Sequence, residues 1–210
     1  MFVVVVTGGL GAGKSTAAEY FRTRGATIID LDDVAKRALV KGAPVLRTLA
    51  DEFGEDVLLA DGSLDRSALA RAAFASPDGA QRLNEIVHPV VAREVGPALQ
   101  EIRLLPSQPE VVVLEVPLLA EAPLYRELAD LVLAIVAPQH VRIARSVERG
   151  MSEADAKRRI ACQATDAERA ELADVVIVND GDETGFLGRL EGFWDEYVMA
   201  GERSAGDSAS

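Results

Sequence analysis

Gly8-Gly9-Leu10-Gly11-Ala12-Gly13-Lys14-Ser15 satisfies the spacing G-x-x-x-x-G-K-[ST]. Glycines let consecutive backbone N–H groups turn inward on phosphates, and a helix that starts there adds its partial positive charge. Lys14 can then reach the β- and γ-phosphates, and the Ser15 hydroxyl can ligate Mg²⁺. A nucleoside triphosphate is the ligand this spacing predicts. A chance glycine-rich turn would lack the flanking elements, and both are present. Phe2 to Val6 is a β-branched apolar run, and Ala17, Ala18, Tyr20 and Phe21 recur at helical spacing up to Arg24-Gly25.

Other groups could act on such a ligand. Asp30-Leu31-Asp32-Asp33 follows the second apolar run; in an extended chain Asp30 and Asp32 would share a face, where a carboxylate could take a proton from an attacking hydroxyl. The plainer reading is that Asp32 or Asp33 caps the next helix. Arg142, Arg145 and Arg149 are three and four apart and are expected along one helix face, able to neutralise charge on a transferred phosphoryl group. Lys157, Arg158 and Arg159 read instead as a solvated face paired with acids such as Glu153 and Asp155. Glu115, closing the third apolar run, could hold Mg²⁺ through water or be a plain strand-end charge. Asn179-Asp180-Gly181 closes the last run with turn residues whose backbone could meet an adenine ring. His88-Pro89 interrupts a helical stretch, and its local reading is a capping or packed histidine.

Five short apolar runs must position these groups: Phe2 to Val6, Thr27 to Ile29, Val111 to Val116, Leu131 to Val136 and Val175 to Val178. Their alternation with helical stretches predicts an open parallel α/β sheet that binds ligands at the strands' carboxyl ends. The gap from Asp30 to Glu110 exceeds one crossover helix, and residues 33–41, 43–53, 66–75 and 80–104 all read as helix, so a helical insertion is expected. A second, basic excursion, residues 142–169, separates the fourth strand from the fifth. Residues 201–210 are small and polar and are expected to be a disordered tail.

Composition bounds the partners. With 34 acidic against 22 basic residues the net charge is −12, which opposes nucleic acid and acidic lipid surfaces and favours small anions held by local clusters. No apolar run approaches a membrane span, and no export leader is visible. The single Cys162 forms no internal disulfide, so a cytoplasmic setting is expected.

Together these segments resemble dephospho-coenzyme A kinases: Thr7 to Thr16, Ile29-Asp30-Leu31-Asp32, Asp61-Gly62-Ser63-Leu64-Asp65-Arg66 with Leu69 and Phe74, and His88-Pro89. Val116-Pro117-Leu118-Leu119 with Glu121, Arg145 with Arg149, Gln163, Ala173-Asp174, Asn179 and Gly181 complete the ordered set. The resemblance implies a P-loop kinase-type α/β fold: a five-stranded parallel sheet with helices on both faces, a helical substrate-binding insertion and a lid. The nucleotide-binding core would be residues 1–30, 108–141 and 174–200, the coenzyme A-binding insertion 31–107 and the lid 142–173. ATP would meet Gly11, Ala12, Gly13, Lys14, Ser15, Thr16, Arg145, Asn179 and Gly181. Asp32, Lys14 and Arg145 would be catalytic, Asp32, Arg66 and His88 would face dephospho-coenzyme A, and Ser15 would hold Mg²⁺. The chain departs from common family sequence at Glu115 and Gly150. A monomer or weak homo-oligomer is expected. The competing readings are another small-molecule or nucleoside monophosphate kinase and a GTP-dependent switch. For the switch, Asp51-Glu52-Phe53-Gly54 matches D-x-x-G but falls in a helical stretch, and no N-K-x-D follows the fourth strand.

Overall fold

The computed structural model describes residues 1–117, 119 and 123–200. Leu118, Glu121 and the tail 201–210 lie outside the described residues. Five parallel strands, β1 (Phe2–Gly8), β2 (Thr27–Asp30), β3 (Val111–Val116), β4 (Leu131–Val136) and β5 (Val175–Val178), form one sheet in the order β2-β3-β1-β4-β5. The predicted parallel α/β sheet is borne out. Valine-rich strands suit this arrangement because central parallel strands are covered on both faces, and Val3 to Val6 are all buried.

Helix α1 (Lys14–Thr23) returns the chain from β1 to β2. One sheet face packs Val4, Val6, Val113, Leu133 and Ile135 with Ala17 and Phe21 of α1 and with Phe186, Leu190 and Phe193. The last three belong to α9 (Glu183–Phe193), which continues into a π-helical turn, Trp194–Val198. Chain connection moves from β1 toward β2 on one side and from β4 to β5 on the other. Right-handed crossovers therefore place the connecting helices on opposite faces, and the carboxyl end of β1 becomes the switch point where ligands bind.

The chain divides into two compact units: Met1–Asp30 with everything from Glu101 on, and Leu31–Gln100. The second unit holds α2 (Leu31–Ala38), α3 (Val45–Phe53), α4 (Arg66–Ala73) and most of α5 (Pro77–Arg103). Leu39, Leu46, Leu49, Val57 and Leu69 form its own apolar centre, with Leu83, Ile86, Val87 and Val90 of α5 packed against it. Asp51 and Phe53 end α3, and Gly54 leaves it at φ 96°, so the D-x-x-G match spans a helix terminus.

Two local expectations fail. Helix α2 begins at Leu31, directly after β2, so Asp32 and Asp33 sit in its first turn rather than at its cap. Period-two geometry ends at Asp30, and Asp30 and Asp32 do not share a strand face. Likewise His88-Pro89 does not break a helix: α5 runs unbroken for 27 residues through Pro89 and Pro97. Each proline costs one i→i−4 bond, about 3 kcal/mol. The buried stripe Val91, Val95 and Leu99 supplies the burial that offsets it.

After β3, a 3₁₀ turn (Pro123–Leu128) packs against β1 and buries Tyr125, whose hydroxyl has no hydrogen-bond partner among the described residues. Burial pushes the Tyr125 phenol from the ordinary 10.0 up to about 12. An unfolded tyrosine ionises first, so this contribution to stability is present below pH 10.0 and is lost as pH rises toward about 12. Tyr125→Phe is expected to be about 1 kcal/mol more stable than the parent at neutral pH. Its advantage should widen by about 3 kcal/mol at strongly alkaline pH. Urea midpoints of both proteins across that range check this.

Candidate active site

The loop between β1 and α1 is built by conformations that only glycine adopts without strain: Gly11 has φ 74° and Gly13 has φ 114°. Gly13 caps α1 with no side-chain bond, and no acidic residue occupies the helix's first turn. The N-terminal N–H groups and the positive end of the helix dipole are thus left for an external anion. Lys14 donates from Nζ to the carbonyls of Gly8 at 2.8 Å and Gly9 at 3.3 Å, holding its ammonium over the loop. Ala12 is fully buried behind the loop, and Thr16 sits in the first turn of α1.

Ser15 donates from Oγ to Glu115 Oε1 at 3.3 Å. Glu115 is 9% exposed at the carboxyl end of β3, register partner of Val6. A hydroxyl and a carboxylate side by side are the hard oxygen donors Mg²⁺ prefers. Among the described residues there is no group of three or more His, Cys, Asp and Glu able to hold a metal, so a cation here must complete its shell with phosphate oxygens and water.

Asn179 joins the two edges of the site. It is 4% exposed after β5, and its Nδ2 donates to Ala12 O at 2.8 Å. Arg145, on α6 (Gln139–Glu148), donates to Asn179 O at 3.2 Å, Asn179 Oδ1 at 3.1 Å and Gly181 O at 3.4 Å. Arg145 and the Asn179–Gly181 turn, singled out separately in the sequence, are therefore brought together beside the loop. Asn179→Ala leaves the Ala12 carbonyl buried without its donor and is expected to cost about 1–3 kcal/mol. A lowered urea midpoint at unchanged slope would register that loss.

The three arginines do not share a role. Arg149 lies beyond the end of α6 and is exposed, whereas Arg142 is buried. The helix stops one residue too soon to carry Arg149 along the face. Arg142 reaches Leu10 O, Gln163 and Asp166, contacts that sequence spacing did not signal. Asp166 opens α8 (Asp166–Glu171) behind a Thr165–Glu168 capping box, and α7 (Glu153–Ala161) starts at the Ser152 cap. Lys157 pairs with Glu153 at 2.7 Å and Arg158 with Asp155, as the solvated-face reading expects.

In the second unit, Asp32 lies in the first turn of α2, and Arg66 donates to Lys36 O of the same helix at 3.2 Å. Asp65 caps α4 by accepting from Ser67 and Ala68 N–H, both at 2.9 Å, and so fixes where Arg66 leaves the backbone. His88 sits midway along α5.

A glycine-lysine phosphate loop at the switch point of a β2-β3-β1-β4-β5 parallel sheet defines a P-loop nucleotide-binding fold of the kinase class. The family model described as dephospho-CoA kinase matches residues 2–184. A dephospho-CoA kinase of Streptomyces avermitilis is 41% identical, with 94% of this chain and 95% of the relative covered. One from Mycolicibacterium paratuberculosis is 43% identical over 95% of this chain but 48% of its own length. The chain thus spans about half the length of that curated relative. Among solved structures, TT1252 from Thermus thermophilus superposes with a TM-score of 0.72 at 31% identity, covering 93% of this chain and 97% of that one. The chain belongs to the dephospho-CoA kinase family.

Proposed function

We propose that the chain transfers the γ-phosphoryl group of ATP to the ribose 3′-hydroxyl of dephospho-coenzyme A, giving coenzyme A and ADP, the last step of coenzyme A biosynthesis. The observation that carries the nucleotide half is the uncapped α1 N-terminus under a Gly11–Gly13 loop with Lys14 above it. Family membership supplies the acceptor and disfavours both another small-molecule kinase and a GTP switch.

In this reading Gly11 to Thr16 hold the phosphates, Lys14 and Arg145 offset charge on the transferred group, and Asn179 and Gly181 border the adenine. Ser15, with Glu115 beside it, would hold Mg²⁺, which would supply charge neutralisation at the phosphates. Asp32 orients or deprotonates the 3′-hydroxyl, while Arg66 and His88 bind the acceptor. Residues 31–107 serve as the coenzyme-binding insertion and 142–173 as a lid that excludes water. Among the described residues no helix is long and apolar enough to cross a membrane. The reaction is assigned to the cytoplasm, in a monomer or weak homo-oligomer without nucleic-acid or membrane partners.

The test is ADP release with ATP and Mg²⁺, with and without dephospho-coenzyme A, and the mass of the product. Acceptor-dependent ADP with a product heavier by one phosphoryl group is the expected result. ADP formed at the same rate without acceptor overturns the assignment.

A further inference from the structure

Leu10 of the phosphate loop is held from outside the loop at both its N–H and its carbonyl. Its N–H donates to Gln163 Oε1 at 2.9 Å, and its carbonyl accepts from Arg142 Nε at 2.9 Å. The same guanidinium donates from Nη2 to Gln163 Oε1 at 3.2 Å and from Nη1 to Asp166 Oδ1 at 3.3 Å. Arg142 thereby ties α6, Gln163 just beyond the end of α7 and the start of α8 to a single residue of the loop.

Contact with the loop is closer than any side chain there would permit. A Cβ on Gly9 would fall 2.1 Å from Arg142 Nη2, and one on Gly11 would fall 2.4 Å from Arg142 O. These two glycines serve the approach of Arg142 as well as of a phosphate. The guanidinium is buried, and that burial pulls its pKa down, as does Arg169, against the pull of Asp166 in the other direction. Arg169, fully buried, donates to Ala164 O and at 3.5 Å to Asp166, which therefore serves both cations.

We propose that Arg142 is a positioning residue for nucleotide binding: through Leu10 and Gln163 it fixes the phosphate loop in its binding shape and sets it in register with Arg145, three residues further along α6. Arg142 does not contact the ligand; it acts through the loop. The inference rests on the proposed nucleotide reading of that loop. A planar fork is needed to reach Leu10, Gln163 and Asp166 together, which an ammonium cannot do.

The experiment compares the full chain with Arg142→Lys and Arg142→Met, and both with Gln163→Ala. The readouts are ADP affinity by fluorescent-nucleotide displacement, KM for ATP, kcat, and urea midpoint. KM and Kd are expected to rise about tenfold in Arg142→Lys, with the loss falling on KM rather than kcat. Adding Gln163→Ala should weaken binding little further, because both act on Leu10. A purely structural role would lower the midpoint and the active fraction and leave KM and Kd at parental values, and that result overturns the proposal. If Arg142→Met does not fold, Arg142→Lys and Gln163→Ala carry the test unaided. Failure of the parent chain to bind ADP or ATP would instead overturn the nucleotide reading, a separate outcome.

Discussion

Lys14→Ala is expected to lower kcat/KM for acceptor phosphorylation by about 10³-fold, far more than a stability loss of about 1–3 kcal/mol, read from urea denaturation, would account for in a chain that stays folded. Lys14 is the long cation of the loop itself, and its ammonium donates to the carbonyls of Gly8 and Gly9, two buried residues. Removing it leaves the carbonyls of two buried residues without that donor, a structural cost of about 1–3 kcal/mol. In the proposed reading the catalytic cost is large because charge on the transferring phosphoryl group would then be met without the loop's own ammonium. Arginine at this position should not restore the rate, since its longer planar head does not fit over the same two carbonyls. Steady-state kinetics with a parallel denaturation curve decides it. Turnover within about tenfold of the parent would remove Lys14 from the proposed chemistry.

Asp32→Asn is expected to reduce kcat by about 10² to 10⁴ while ATP affinity changes less than about twofold, if the carboxylate is the base for the 3′-hydroxyl. Asparagine keeps the size and the first-turn position in α2 and removes only the charge and the proton-accepting capacity. A carboxylate near a helix N-terminus also stabilises the dipole by about 0.3–1 kcal/mol, and Asp33 beside it supplies the same. Stability therefore separates the two roles poorly, and turnover separates them well. Equal kcat in parent and variant would return Asp32 to a helix-terminal function.

Sequence reading found what is local and repetitive. Val111–Val116 and Leu131–Val136 are apolar but for Glu115 and rich in β-branched residues, and their strand bounds coincide with the runs seen in the sequence. The glycine-lysine loop was legible because its chemistry is contiguous. The start of α2 at Leu31 was not, since nothing in Asp30-Leu31-Asp32 announces that a strand turns into a helix without a loop. The passage of α5 through Pro89 and Pro97 was hidden because tertiary burial outweighs a local penalty. Arg142 looked like its neighbours on a helical wheel; only the docking of three separate segments distinguishes it from Arg149. Likewise the proximity of Ser15 to Glu115 depends on the β1–β3 register, which a linear string does not display.

The bond from Asn179 to the Ala12 carbonyl spans 167 residues of chain. During synthesis, the first turn of the site emerges early and its supporting amide comes near the last strand. Until residue 179 is in place, the Ala12 carbonyl has no partner amide and Arg145 lacks the groups it holds. This support for the loop is expected to be completed only once the long-range pairing of β4 with β5 has closed its entropic loop. A nascent chain shorter than that carries the signature of a phosphate loop without the amide that supports the Ala12 carbonyl.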